Sequence, residues 1–315
     1  MNAIKKYWKA YKWSNIFAML SNNKKKPAVC SDRFQGKLVV LTGATSGIGY
    51  YTARKYAEHG AHILTINRNK QKSEALCEEL QRDFGASCSY ILADLSTLDA
   101  MHHAADELAK LKEPIAVLIH NAGVFLKRRT LTTDGLETTF AVHYLAPFVI
   151  NYKLQEKFMR DKTGRIIFVN SEGHRFAAWG LHLDDLQWEH HAYSGLKAYG
   201  SAKLAQLLTM HKLADMLKHY GITVNAMHPG MVKSNTGHEN DAVYKFFKRN
   251  MIDSISQSAE ISAQALYYLG VSSEVAAVTD TFFNLTTPEE PAPPALDLDV
   301  VPELWDISMQ LGKLK

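Results

Sequence analysis

The chain has 315 residues and a formal net charge of +4 at pH 7. That length suits one large α/β domain with a well-buried core and an N-terminal appendage. Seven of the 36 basic residues lie in residues 1–30, which hold no acid, so the rest of the chain has 29 basic and 32 acidic residues and a net charge of −3. This slightly acidic body argues against a nucleic-acid-binding surface.

The N-terminal extension, residues 1–35, is basic and aromatic. A helix would place four apolar residues on one face, opposite mainly lysines: Ile4, Tyr7, Trp8 and Tyr11. This pattern is typical of an interfacial membrane helix, although the apolar residues leave that face after Trp13. No run of about 18 apolar residues occurs, so we predict neither a transmembrane anchor nor a cleavable signal. Three alternatives remain open: peripheral membrane contact through residues 1–20, docking onto the body or a partner, and disorder.

A nucleotide-binding unit begins after the extension. The apolar run Lys37–Leu41 predicts a buried strand, and a second strand is predicted over His62–Ile66. Between them lie the glycine-rich stretch Thr42–Gly49 and a predicted helix over Tyr50–His59. Strand, glycine turn, helix and strand in this order favour a dinucleotide-binding βαβ unit over a merely flexible glycine loop. Backbone amides at the helix N-terminus would meet the pyrophosphate charge.

The cysteines and histidines give no sign of a metal site. Cys30, Cys77 and Cys88 have neither zinc spacing nor a framework of pairs, and their odd number suits a reducing compartment. The adjacent pairs His102-His103 and His190-His191 do not form an i, i+4 ligand face. We therefore expect a cytoplasmic protein without a bound metal.

A tyrosine and a lysine further along carry the chemistry. Tyr199 and Lys203 are four residues apart, so on a helix their side chains share one face. An ammonium there would lower the pKa of the phenol from about 10 and let the tyrosine exchange a proton with a substrate near neutral pH. Alone, the pair is also compatible with an ordinary amphipathic helix.

Taken together, these motifs resemble the short-chain dehydrogenase/reductase family, most closely between Gly36 and Gly237. The resemblance implies a single Rossmann-type doubly wound parallel sheet with helices on both faces, spanning 36–315. It implies an acid/base role for Tyr199, ribose binding by Lys203, and a substrate-orienting Ser171. The cofactor-binding residues that it implies are Gly43, Thr45, Ser46, Gly47, Ile48, Gly49, Asp94, Leu95, Asn121, Ala122, Gly123, Tyr199, Lys203, Pro229, Gly230, Val232 and Ser234.

The end of the second strand predicts the cofactor. An NAD-selective protein would usually present an acid there to the ribose 2′-hydroxyl, whereas this chain has Asn67 followed by Arg68. A guanidinium suits bidentate contact with a 2′-phosphate, so we predict NADP(H). The alternative is a solvated surface arginine.

One position departs from the family pattern. Where its members usually place an asparagine that holds a relay water, this chain has His143, with Pro147 adding a helix break or kink nearby. Histidine can bind water and can carry a proton near pH 6.5, so it could replace the relay or mark a weakened one.

Within the family, the stretches Asp134–Phe140, Ser171–Phe176 and His228–Gly230 are similar to those of retinol dehydrogenases and WW-domain-containing oxidoreductases, which implies an apolar carbonyl or alcohol substrate. An insert between Ser171 and Tyr199 could wall an apolar pocket or pack as ordinary core, through Phe176, Trp179, Leu181, Leu183, Leu186, Trp188 and Tyr193. We predict a substrate lid over 234–262, a last strand over Thr281–Leu285, a stiff proline-rich connection, and a final helix over 302–314. A homo-oligomer is compatible with the family.

The sequence therefore predicts an NADP(H)-dependent oxidoreductase that interconverts an apolar aldehyde, ketone or retinoid-like carbonyl and its alcohol. The alternative is a cofactor-binding sensor or scaffold of the same fold, in which His143 has weakened turnover.

Overall fold

The computed structural model describes residues 6, 7, 9–11, 21, 22, 25–230 and 259–315. In this part of the chain the strands are β1 (Leu38–Thr42), β2 (His62–Asn67), β3 (Cys88–Leu92), β4 (Ile115–His120), β5 (Arg165–Val169), β6 (Thr223–His228), β7 (Phe282–Asn284) and β8 (Thr287–Pro288). They form one sheet in the order β3-β2-β1-β4-β5-β6-β7-β8, parallel except for the β7–β8 pair. The predicted doubly wound parallel sheet is confirmed, and its order reverses between β1 and β4.

Helices cover both faces of the sheet. The longer ones among the described residues are α1 (Gly47–Glu58), α2 (Lys70–Phe84), α3 (Leu98–Ala109), α4 (Ala146–Asp161), α5 (Gly195–Leu217), α6 (Ala259–Val271) and α7 (Val301–Leu311). One core layer lies under α3, α4, α5 and α7, and the other under α1, α2 and α6. Alternate residues of β1 serve the two layers: Leu38 and Val40 face the first, and Val39 and Leu41 face the second.

The chain enters α4 through an irregular turn. Residues Ala141–Leu145 form a π-helical turn, and Pro147 lies in the first turn of α4. A proline has no backbone N–H to donate and is tolerated at the start of a helix, so the irregularity precedes Pro147 and leaves α4 intact behind it. The predicted break is thus a wide turn that contains His143.

The extension contributes to the folded body. Cys30 and Phe34 are 7% and 4% exposed and belong to the second core layer, and the Ala28 amide donates to Thr286 Oγ1 at 2.8 Å. Tyr7, which the sequence pattern assigns to the apolar face of a helix, is 8% exposed, and its hydroxyl donates to Asp297 Oδ2 at 2.5 Å. For the residues described, these contacts favour the docking alternative. None of the helices described combines the length and hydropathy needed to cross a bilayer.

The expectation that the cysteines are unpaired is wrong for two of them. Cys77 on α2 and Cys88 at the start of β3 form a disulfide, with their Cα atoms 5.0 Å apart. The helix ends at Phe84, and the chain reverses at the C-cap residue Gly85, which has a φ of +64°. This reversal brings Cys77 and Cys88 together. Cys30 is a buried free thiol.

The C-terminal region follows the prediction closely, with one addition. The last parallel strand is β7, Phe282–Asn284, and the final helix is α7, Val301–Leu311. The proline-rich connection begins with an unpredicted antiparallel strand, β8, whose Pro288 is paired with Phe283. Most of the predicted lid, together with Val232 and Ser234, lies outside the described residues.

Candidate active site

The glycine-rich loop after β1 is joined to the loop after β4. The Asn121 side chain donates to the backbone oxygens of Thr42 at 3.1 Å and Gly43 at 2.9 Å, and the amides of Asn121 and Ala122 donate to Thr42 Oγ1 at 2.9 Å. Gly43 has a φ of +70°, and a Cβ there would lie 2.9 Å from the Ala122 Cα. A side chain at Gly49 would clash with the Gly43 oxygen. The glycines thus permit close contact between the two loops.

The N-terminus of α1 is open for an anion. Ser46 is the N-cap residue and has no side-chain capping hydrogen bond, and both Ser46 and Gly47 are exposed. Thr45 and Ile48 lie on either side, half-buried. Free backbone amides at this position suit a pyrophosphate, and the exposed Gly47 has no side chain to occupy the space.

Asn67 and Arg68 have different surroundings at the end of β2. Asn67 is 4% exposed; its Oδ1 accepts a hydrogen bond from the Ala44 amide at 2.8 Å, and its Nδ2 donates to Thr65 Oγ1 at 2.9 Å. Asn67 therefore supports the glycine loop. Arg68 is exposed and makes no hydrogen bond or ion pair with the part of the chain that the structure describes. Its guanidinium is available to a ligand.

The predicted adenine residues follow β3. Asp94 is exposed and accepts a hydrogen bond from the Ser96 amide at 3.0 Å, whereas Leu95 is 7% exposed and packs in the first core layer. Gly123 is exposed beside the His143 ring, and Pro229 and Gly230 follow β6, with a φ of +78° at Gly230. These residues follow β3, β4 and β6, so they lie at the carboxyl edge of the sheet, where ligands bind in such folds.

Ser171 and Tyr199 meet at the same edge. Ser171 follows β5, and its Oγ accepts a hydrogen bond from the Gly173 amide at 3.0 Å. Gly173 lies against the tyrosine: a Cβ there would be 2.5 Å from Tyr199 Cε1. Burial raises the pKa of Tyr199 above its ordinary value, and a hydrogen bond with the Ser171 side chain opposes that rise.

Lys203 lies on the same helix but points to a backbone oxygen. It is 3% exposed, its Nζ donates to the Val169 oxygen at 2.6 Å, and the Nζ is 5.8 Å from the centroid of the Tyr199 ring. Burial lowers the pKa of Lys203 to about 7. The expectation that Lys203 lowers the tyrosine pKa is therefore wrong for this structure, because desolvation dominates at Tyr199 and weakens the lysine charge.

His143 is buried beside the tyrosine. Its ring is 5.2 Å from the Tyr199 ring, at 90° to it, and its Nε2 lies 3.0 Å from the Val124 nitrogen and 2.7 Å from the Val124 oxygen. Burial lowers the pKa of His143 to about 3, with a further contribution from Lys203. The histidine is neutral at physiological pH, so the expectation that it carries a proton near pH 6.5 is wrong.

Two polar residues that the sequence reasoning missed connect these parts. Asn170 donates to the Lys203 oxygen at 2.9 Å and to Gln206 Oε1 at 2.8 Å, and it accepts from the Ser171 amide at 2.8 Å. Gln206 in turn donates to the His143 oxygen at 2.9 Å. Both are almost fully buried, so the network fixes β5, α5 and the π-helical turn relative to one another. The only local sequence signal for this network was the position of Asn170 directly before Ser171.

The insert after Ser171 divides into core and rim. Leu186 and Trp188 are 7% and 6% exposed, and Leu181 and Leu183 pack against the first core layer. Ordinary core packing thus accounts for these four. Phe176 is 40% exposed and packs on Gly200, beside Tyr199.

Phe125, which we did not predict, also borders the tyrosine, at 6.1 Å between ring centroids. It follows the Asn121–Gly123 turn in the loop after β4. Together with Phe176, it gives the surroundings of Tyr199 two apolar aromatic side chains.

A charged cluster lies behind Ser171. Arg175 donates to Glu172 Oε2 at 2.5 Å and to Glu289 Oε1 at 2.9 Å, and Asn22 donates to Glu289 Oε2 at 2.9 Å. Burial raises the pKa of Glu172 to about 7, against the lowering effect of Arg175. The Arg175 guanidinium thus binds two carboxylates, Glu172 and Glu289. Of these two contacts, the sequence offered a local signal only for the first, because Glu172 and Arg175 are three residues apart. In the described part of the chain, no cluster of three or more metal-ligating side chains occurs.

Comparison with known proteins agrees with this geometry. Residues 37–180 and 188–244 match the family model described as short chain dehydrogenase. The chain is 33% identical over 284 residues to the WW domain-containing oxidoreductase of Pongo abelii, covering 88% of this chain and 68% of that protein. It is 32% identical over 288 residues to retinol dehydrogenase 13 of Homo sapiens, covering 89% and 86%. A solved structure of an uncharacterized protein from Mycobacterium paratuberculosis has a TM-score of 0.71 at 27% identity, covering 90% of this chain and 96% of that one.

The chain therefore belongs to the short-chain dehydrogenase/reductase family, whose members are oxidoreductases that use a nicotinamide cofactor. Within the family, the expected likeness to retinol dehydrogenases and WW domain-containing oxidoreductases is confirmed.

Proposed function

We propose that this protein is an NADP(H)-dependent oxidoreductase that interconverts an apolar carbonyl compound and its alcohol, with Tyr199 as the acid/base group. The observation that carries the proposal is that the Ser171 and Tyr199 side chains both lie against Gly173 at the carboxyl edge of the sheet, where a Cβ at Gly173 would be 3.2 Å from Ser171 Oγ and 2.5 Å from Tyr199 Cε1. This arrangement brings a proton donor and an orienting hydroxyl together beside a loop built for a dinucleotide.

The residues present fit an NADP(H) molecule. The open N-terminus of α1 would hold the pyrophosphate, and the unpaired guanidinium of Arg68 would bind the 2′-phosphate. Asn67 places no carboxylate at the ribose, because its amide supports the glycine loop. Lys203 would hold the ribose hydroxyls, as the family resemblance implies.

The side chains have distinct roles in the proposed reaction. When bound, the nicotinamide supplies or accepts the hydride. In reduction Tyr199 donates its phenolic proton to the substrate oxygen, and in oxidation it takes the proton back. Ser171 donates a hydrogen bond to that oxygen and stabilises its developing charge. Because burial raises the pKa of Tyr199, the phenol is protonated at neutral pH, which is the form that donates in carbonyl reduction.

An apolar substrate is supported by the rim of the site. Phe125 and Phe176 border Tyr199, and Phe176 is exposed although it is a large aromatic side chain. Two relatives carry the names retinol dehydrogenase 13 and retinol dehydrogenase 14, which agrees with an apolar alcohol or aldehyde.

An absorbance assay of NADPH consumption tests the proposal, with long-chain aldehydes, ketones and retinaldehyde as substrates. We expect turnover by the wild-type protein and a loss of about 10²- to 10⁴-fold in Tyr199→Phe, which lacks only the acidic hydroxyl. Tyr51→Phe, a tyrosine on α1, is the matched control and should retain activity. Wild-type turnover that Tyr199→Phe retains would overturn the acid/base assignment.

One observation favours a second candidate, a cofactor-binding protein with little turnover. Lys203 donates to the Val169 oxygen and does not lower the pKa of Tyr199. Tight NADPH binding with no consumption across the whole substrate panel would establish this alternative.

A further inference from the structure

Described residues of the N-terminal extension hold the body at three points. We call Lys6, Tyr7, Tyr11 and Asn22 the N-terminal anchors. Lys6 forms an ion pair with Asp297, and the Tyr7 hydroxyl donates to the same carboxylate at 2.5 Å. Asp297 lies just before α7, so this first point fixes the extension to the C-terminal region.

The second point is the insert after Ser171. The Tyr11 hydroxyl donates to the Ala178 oxygen at 3.4 Å. The Tyr7 ring lies against Gly180, where a Cβ would be 2.9 Å from Tyr7 Cε2, and Gly180 has a φ of +89°. Two tyrosine side chains of the extension therefore contact residues 178–180.

The third point is the charged cluster behind Ser171. Asn22 is 7% exposed, and its amide donates to Glu289 Oε2 at 2.9 Å. The other oxygen of Glu289 accepts from Arg175, which also binds Glu172. A chain of polar contacts thus runs from Asn22 to the residue next to Ser171. Removing the Asn22 amide would leave a buried carboxylate oxygen with one donor fewer.

The segment that these points hold is the one that carries the proposed chemistry. Ser171 caps the 3-10 turn Glu172–Phe176, and Gly173 in that turn packs on the Tyr199 ring. On α5, a Cβ at Gly200 would lie 2.8 Å from the Gly173 oxygen and 2.9 Å from the Phe176 Cβ. The turn is therefore enclosed between α5 on one side and residues bound by the N-terminal anchors on the other.

We infer that the N-terminal anchors are positioning residues for the substrate side of the site, residues 171–180. This inference rests on the proposed function. Among the described residues, the side-chain hydrogen bonds and ion pairs that the anchors make with the body go to Ala178, Asp297 and Glu289, and none goes to the glycine loop or to Arg68. The anchors set where Ser171 and Phe176 meet a substrate, and they leave the cofactor region unchanged.

The test is hydrogen–deuterium exchange on the full-length protein, with Asn22→Ala and the double variant Tyr7→Phe/Tyr11→Phe. We expect exchange of peptides within 172–181 to accelerate at least fivefold, while the peptide covering Gly43–Gly49 is unchanged. Lys9→Ala and Lys25→Ala, at exposed positions of the same extension, are matched controls and should behave as wild type. Asn22→Gln keeps the amide donor and should recover most of the protection.

Steady-state kinetics supply a second measurement. In Asn22→Ala we expect the KM for the apolar substrate to rise about fivefold or more, with the NADPH dissociation constant unchanged. Unchanged exchange at 172–181, or equal acceleration throughout the protein, would overturn the inference, because the latter indicates general destabilisation. The exchange experiment needs no turnover, so it decides the inference even if Tyr199→Phe refutes the proposed function.

Discussion

Lys203 donates a hydrogen bond from Nζ to the backbone oxygen of Val169 at 2.6 Å, and burial lowers the pKa of the lysine to about 7. The folded state binds this proton more weakly than the unfolded state does. The charge therefore costs stability increasingly as the pH falls from 10.5 toward 7, and the full cost is present below that.

Replacing this lysine should make the protein more stable and inactive. We expect Lys203→Met to raise the free energy of unfolding by about 2–4 kcal/mol at pH 7, and by less at pH 9.5, where the folded wild-type lysine is neutral and the pH is only about one unit below the pKa of the unfolded state. Urea unfolding at the two pH values measures the difference. Lys72→Met, on the exposed face of α2, should change little, and a Lys203→Met variant that is less stable than wild type at pH 7 would contradict the assignment.

Cofactor preference should depend on Arg68. Its guanidinium is exposed and unpaired among the described residues, so removing it changes no internal contact. We expect Arg68→Ala to weaken NADPH binding by about 1.5–3 kcal/mol, roughly 10- to 100-fold, and to leave NADH binding unchanged. Fluorescence titration with both cofactors measures this, with Lys70→Ala as a nearby exposed control. Equal weakening of both cofactors would refute a 2′-phosphate contact.

The acid next to Ser171 should make stability depend on pH. Burial raises the pKa of Glu172 to about 7, so its contribution to stability is present below pH 4.5 and is lost as the pH rises through 7. Glu172→Gln should remove this decline and be more stable than wild type at pH 8 by about 1–3 kcal/mol. Thermal unfolding between pH 5 and 8 tests the sign. Glu290→Gln, an exposed neighbour of Glu289, should follow the wild-type curve throughout.

His143 should not contribute a titration to catalysis. Its pKa is lowered to about 3, so the ring stays neutral between pH 5 and 9 and acts only through hydrogen bonds. In a His143→Asn variant we expect the pH–rate profile to keep its apparent pKa values, whatever happens to the maximal rate. The disappearance of a limb between pH 6 and 7 in that variant would show that the histidine itself gains and loses the proton.

Local sequence patterns predicted the sheet and most of the cofactor loop. The buried β-branched runs and the glycines between them depend on near neighbours, and both could be found by their spacing. The charge states of the buried site residues could not be predicted in this way. The pKa values of Tyr199, Lys203 and His143 depend on how completely other elements cover them, and that coverage comes from residues far away in the chain.

The same reason explains the missed contacts. Gln206 binds Asn170 across 36 positions, and Arg175 binds Glu289 across 114. No periodicity of one element specifies such a pair. In the insert, hydropathy identified apolar residues but gave no means of separating the buried Trp188 from the exposed Phe176.

Arg68 follows β2, whereas Ser171 follows β5, and between them the sheet reverses its order at β1 and β4. The residue proposed to select the nucleotide and the residues proposed to hold the substrate therefore lie on opposite halves of one sheet. The two halves are joined at their common edge by Asn121 and Thr42. Mutations that alter cofactor preference therefore need not change the residues that bind the substrate. Cofactor specificity and substrate specificity can evolve independently in descendants of this protein.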